Sequence, residues 1–181
     1  MSEELEVLKT VTGRLDGAGI PYMVTGSMAV NYYGQTRMTR DIDVVVELTG
    51  ADADWLRELF AEDFYIDVDA ARQAIADTGT FNIIHTARVV KVDFVVRKGS
   101  DYRRTEFSRR RRVSVEGQPI FIVAPEDLII SKLEWARESR SDVQLADVRN
   151  LLASVAELDR EYLARWITRL GLEALYREVG G

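Results

Sequence analysis

Arg40-Asp41-Ile42-Asp43-Val44-Val45-Val46 is the stretch whose reading decides the fold. Its β-branched residues make it a strand. Alternate side chains of a strand share a face, so both carboxylates point the same way. Like charges side by side repel, and a divalent cation is the usual compensation. The simpler alternative is a strand start, with Asp41 closing a loop and Asp43 paired to Arg37 or Arg40. A third aspartate, Asp93, lies inside a second apolar run, Val89-Val90-Lys91-Val92-Asp93-Phe94-Val95-Val96. A carboxylate buried there is costly unless paired or metal-bound. Its simpler partner is Lys91 or an arginine.

Upstream, Tyr22-Met23-Val24-Thr25-Gly26-Ser27 reads as a strand that breaks at Gly-Ser and opens a helix to about Tyr33, ended by Gly34. Such a junction leaves backbone N–H groups free, and these and the helix dipole attract phosphate. Ser27 also reads as a plain helix cap. Around this centre, the spacing of Leu5, Leu8, Val11 and Leu15 predicts a helix over 3–17. Helices are expected around 55–60 and 69–75, with strands at 64–66, 81–85 and 88–97. A hairpin pairs 111–115 with 119–122. Helices follow over 128–137, 142–155 and 159–169, with a tail to 176. This order predicts an α+β fold: a mixed sheet with helices mainly on one face and a helical C-terminal end. Residues 1–124 are the expected core, and 125–181 a helical segment packed on it.

The 181 residues are 46% apolar and 30% charged, the composition of a globular chain. There is no cysteine, which excludes disulfides and thiolate zinc sites. No apolar run reaches the roughly 18 residues of a membrane helix, and the acidic N-terminus lacks the plan of a signal peptide. The expectation is a cytoplasmic protein away from membranes. The net charge of −6 is uneven, because residues 97–112 hold eight basic and two acidic side chains. A general DNA coater is thereby excluded. Arg109-Arg110-Arg111-Arg112 reads either as an RNA-backbone contact or as a charged strand edge that blocks sheet association. His85, the only histidine, reads as a strand residue.

Taken jointly, Thr25-Gly26-Ser27, Asp41-Ile42-Asp43-Val44 and Val92-Asp93-Phe94 resemble the signature of the nucleotidyltransferase superfamily, built around a polymerase-β-like core. Thr25 departs from the usual apolar position, and the thirteen residues between Ser27 and Asp41 make a long gap. Pro125 to Leu133 and Arg140 to Val148 are similar to the abortive-infection-type toxin nucleotidyltransferases and their small relatives. The resemblance implies transfer of an NMP from an NTP to a hydroxyl or phosphate acceptor, with a toxin–antitoxin or phage-defence role. Asp41, Asp43 and Asp93 would be catalytic and would hold two Mg²⁺ (or Mn²⁺) ions about 3.5–4 Å apart. Gly26, Ser27, Arg40 and Asp147 would bind the nucleotide, and Lys132 would join the catalytic residues by neutralising phosphate charge, the alternative being a place at the rim of the helical bundle. The acceptor is expected to be RNA such as tRNA, a partner protein or a small molecule, and the apolar C-terminal helices could also form a homodimer. One rival is a nucleotide-binding or antitoxin-like partner on the same fold with little turnover. Another is a D-x-D phosphatase or glycosyltransferase. An aspartyl phosphatase is disfavoured, because here the apolar run follows the acids.

Overall fold

In the computed structural model, which describes residues 2–139 and 141–180, the strand with two aspartates forms the middle of a seven-stranded sheet. Arg140, part of the C-terminal resemblance, lies outside the described residues. The elements run α1 (Glu3–Ala18), β1 (Tyr22–Thr25), α2 (Gly26–Tyr33), β2 (Asp41–Val46), α3 (Asp52–Phe60), β3 (Phe64–Ile66), α4 (Val68–Asp77), β4 (Thr80–His85) and β5 (Val90–Val96). Then come α5 (Asp101–Ser108), β6 (Arg111–Val115), β7 (Gln118–Ile122), α6 (Pro125–Ser139), α7 (Asp142–Ser154), α8 (Arg160–Leu170) and α9 (Glu173–Glu178).

The sheet order is β3-β4-β5-β2-β1-β7-β6. β2 is parallel to β5 and antiparallel to β1, and β1 is parallel to β7. The expected mixed sheet is therefore present. Period-2 alternation sorts its two faces. Ile42, Val44, Val92 and Phe94 are fully buried on one face, where α1 contacts β2 and β5 and the Phe60 ring of α3 lies 5.9 Å from Phe94. Asp43, Val45, Asp93 and Val95 point the other way and are only part-buried. That second face stays open in a cleft bordered by α6.

The C-terminal helices share one hydrophobic core with the sheet, since Leu128, Ile129, Leu133, Val148 and Leu163 cluster with Met23 and Val24. Two local readings change. Ser27 does not cap α2: the helix begins at Gly26, the cap position falls on Thr25 without a side-chain bond, and Ser27 sits inside the first turn. Residues 101–108 form α5, which the sequence did not announce. Ser100 caps it by accepting from the Arg103 N–H at 3.3 Å, and it buries Tyr102, Glu106 and Phe107.

Candidate active site

Strand register brings the acids together. Asp43 on β2 lies directly opposite Asp93 on β5 and Thr25 on β1, while Asp41 faces Lys91. Asp41 is exposed, and Asp93 keeps 20% of its side-chain surface. The Lys91 ammonium lies 2.7 Å from Asp93 Oδ2 and 3.6 Å from Asp41 Oδ1. The pairing of Asp93 with Lys91 considered above is thus realised, whereas neither Arg37 nor Arg40 pairs with Asp43. No side-chain hydrogen bond or ion pair reaches the Asp43 carboxylate among the described residues. Burial raises its pKa, and the neighbouring Asp93 charge raises it further, against the pull of Lys132.

Gly26 lies against this carboxylate with φ +60°. A Cβ there would sit 1.9 Å from Asp43 Oδ2, so only glycine fits both the backbone and the contact. Ser27 Oγ accepts a 2.7 Å hydrogen bond from Arg37, which leaves the hydroxyl proton free to donate. Arg37 in turn donates to Asp147 through Nε and a terminal nitrogen, each at 3.0 Å. Lys132 donates to the same carboxylate at 2.8 Å. Burial alone would raise the Asp147 pKa, but the bonds from Arg37 and Lys132 hold it below the usual range.

The loop carrying Arg37 is clasped twice. Asn31 bonds the backbone N–H and carbonyl of Arg37 at 2.8 and 2.9 Å, and Asn150 bonds those of Gln35 at 2.9 and 3.0 Å. A cleft of about 200 Å³ extends from Gly26 and Asp43 along Val45 and Val95, bordered by Lys132 and the exposed Trp135 of α6.

Of the residues singled out in the sequence, Gly26, Ser27, Asp41, Asp43, Asp93, Lys132 and Asp147 meet in this region. Arg40 is exposed and has no ion pair with the carboxylates among the described residues. Arg37 is the residue that sequence reasoning missed as a site component. Its signal was its position in the loop between the Gly-Ser helix and the D-x-D strand, within reach of both. Among the described residues, no three acidic side chains converge as a ready-made metal cage. Even so, Asp43 and Asp93 offer hard oxygen donors of like charge in register, the chemistry a divalent cation takes.

The chain matches, over residues 4–174, the model of a family described as nucleotidyl transferase of unknown function (DUF2204). The chain belongs to this nucleotidyl transferase family. It is a nucleotidyltransferase, as the resemblance of its three motifs implied. No curated protein matches it. Solved structures share the fold at low identity. An antigenic nucleotidyltransferase-like protein from Paracoccidioides brasiliensis is 19% identical with a TM-score of 0.56, covering 84% of this chain and 76% of its own. The antibiotic-resistance factor ANT(2″)-Ia, in complex with adenylyl-2″-tobramycin, is 15% identical with a TM-score of 0.62, covering 97% and 99%. The lincomycin-bound lincosamide antibiotic adenylyltransferase LnuA is 10% identical with a TM-score of 0.58, covering 86% and 98%.

Proposed function

We propose that this nucleotidyltransferase moves a nucleoside monophosphate from an NTP to a hydroxyl or phosphate acceptor, with Mg²⁺ or Mn²⁺ held by Asp43, Asp93 and Asp41. The observation that carries the metal dependence is the Asp43 carboxylate, half-buried, facing Asp93 and without an ion pair of its own among the described residues. When bound, such a cation neutralises phosphate charge and draws the acceptor oxygen toward an ionised form.

The remaining roles follow from the side chains themselves. Gly26 lets the backbone approach a phosphate, and the Ser27 hydroxyl donates to one of its oxygens. Arg37 and Lys132 supply two positive charges beside the nucleotide, both aligned by Asp147, so Asp147 positions these cations and need not touch the nucleotide. Asp93 Oδ1, which Lys91 leaves free, is the acceptor for the proton of the attacking hydroxyl. Catalysis is then positioning and charge neutralisation. The small-molecule acceptors in the names of two structural neighbours, tobramycin and lincomycin, make a small hydroxyl-bearing acceptor one class to test beside RNA and protein. The arginine run supports an RNA acceptor poorly, because Arg109 and Arg111 are engaged by Glu126 and Asp127. The resemblance to abortive-infection toxins keeps a cytoplasmic phage-defence or toxin–antitoxin role within the proposal. A second reading, a partner with little turnover, is favoured by one observation only, the ion pair that Lys91 makes with Asp93.

Incubation with each α-³²P-labelled NTP, Mg²⁺ or Mn²⁺, total RNA, cell lysate and a panel of small hydroxylated acceptors tests this. Label transfer that vanishes in Asp43→Ala is the expected result and identifies base and acceptor class. No transfer together with no metal-dependent NTP binding would leave only the partner reading.

A further inference from the structure

Three acids share the open sheet face, yet they are not equivalent. Lys91 stands two residues before Asp93 on β5 and directly opposite Asp41 on β2. Its ammonium therefore reaches the two outer carboxylates, Asp93 Oδ2 at 2.7 Å and Asp41 Oδ1 at 3.6 Å, while Asp43 between them takes no ion pair among the described residues. The Lys91 side chain remains 41% exposed, so its head can leave for water without breaking a packed contact. The failure of the acids to converge as a cage, among the described residues, fits an arrangement in which two of them are drawn to an ammonium.

A divalent cation prefers the same hard oxygens. It carries twice the charge of the ammonium and repels it at contact range. A part-exposed Lys–Asp pair is weak, so it yields to a better ligand. We infer that Lys91 is a built-in counter-ion of the carboxylate site: its ammonium holds Asp41 and Asp93 in the metal-free protein and is expelled when a divalent cation binds, so that it sets the metal concentration at which the site fills. This goes with the metal-dependent reading above and adds a competitor to it. Lys91 is here a positioning residue, acting on the metal site through Asp41 and Asp93.

The test uses the nucleotide-free full chain and reads metal binding directly. Free Mn²⁺ is titrated by electron paramagnetic resonance against the wild type, Lys91→Met, Lys91→Arg and, as a control for lost surface charge, Lys98→Met. The expected result is Mn²⁺ binding about tenfold tighter in Lys91→Met, unchanged in Lys91→Arg, and within about twofold of wild type in Lys98→Met. Equal or weaker binding by Lys91→Met overturns the inference and leaves the metal-dependent reading standing, as does an equal gain in Lys98→Met. Absence of Mn²⁺ binding in every protein overturns both. A second measurement needs no variant: acetylation of Lys91 by acetic anhydride, followed by mass spectrometry. Mn²⁺ is expected to speed acetylation of the wild type severalfold by releasing the amine, and a rate that Mn²⁺ leaves unchanged overturns the inference.

Discussion

Two clusters of acids and bases, one among the helices and one on the open sheet face, differ in how their acids are partnered. Between helices α6 and α8, Asp127 is fully buried and its carboxylate is well partnered. Tyr162 donates to it at 2.5 Å and Arg109 at 2.9 Å, and the Arg109 guanidinium stacks 3.7 Å over the Tyr162 ring. Its neighbour Glu126 receives Arg109, Arg111 and the Asp159 N–H. On the open face, Asp43 has no donor of its own among the described residues and faces a second carboxylate, Asp93. Burial raises the pKa of Asp127 and of Asp43 alike, so titration does not tell the clusters apart. Partners do. A paired buried acid cements the helices, whereas an acid left unpaired beside another marks where a ligand's charge belongs.

The sharpest way to break this contrast is to remove one acid from each side. Asp43→Ala is expected to lower transfer about 10⁴-fold, roughly 5 kcal/mol of transition-state stabilisation. Its melting temperature should stay level or rise, because a repulsion is relieved. Asp127→Ala should do the reverse, costing about 4 kcal/mol in urea unfolding by stranding Arg109 and Tyr162. If Asp43→Ala unfolds the chain instead, the distinction fails.

A smaller effect is expected at Gly26. Gly26→Ala places a methyl group on the Asp43 carboxylate and strains a left-handed backbone by about 1–2 kcal/mol. Transfer should fall about 100-fold, with Mn²⁺ affinity falling alongside. Arg37→Met should raise the KM for the nucleotide about tenfold while leaving Mn²⁺ affinity near wild type, since its contacts run to Ser27 and Asp147 rather than to Asp41, Asp43 or Asp93.

The smallest effect is in the pH dependence of stability. Asp43 has a folded pKa raised above 3.8, so its contribution is fully present below pH 3.8 and is lost as pH rises through the folded value. Asp147 has a folded pKa below 3.8, so its contribution is present above pH 3.8 and is lost as pH falls through the folded value. Urea unfolding across the acid range should therefore show Asp43→Asn gaining on the wild type as pH rises. Asp147→Asn should lose ground over the same interval.

The sequence made the acid-bearing strands legible because their signal is local. Alternating acids and β-branched residues announce both the strand and the shared face, and Gly-Ser announces the helix start beside it. What stayed hidden depends on distant partners. Nothing near Asp127 foretells Arg109 and Tyr162, and the arginine run looked solvent-facing although Arg110 stacks 4.3 Å from the Phe107 ring. Segment 101–108 hid as a helix because only Tyr102 and Phe107 give it an apolar side. Lys132 and Asp147 were found through resemblance alone, and Arg37 joins them only once the fold closes.

Asp147 and Asn150 sit three residues apart on α7, so one helical turn holds the Arg37 loop at two points. Arg37 and Lys132, half of the groups proposed to face phosphate, therefore depend on a helix from the far end of the chain. An exchange of the C-terminal bundle between two relatives would carry that half with it, and a chimera joined at the start of α6 would inherit its carboxylates from one parent and the anchor of its cations from the other.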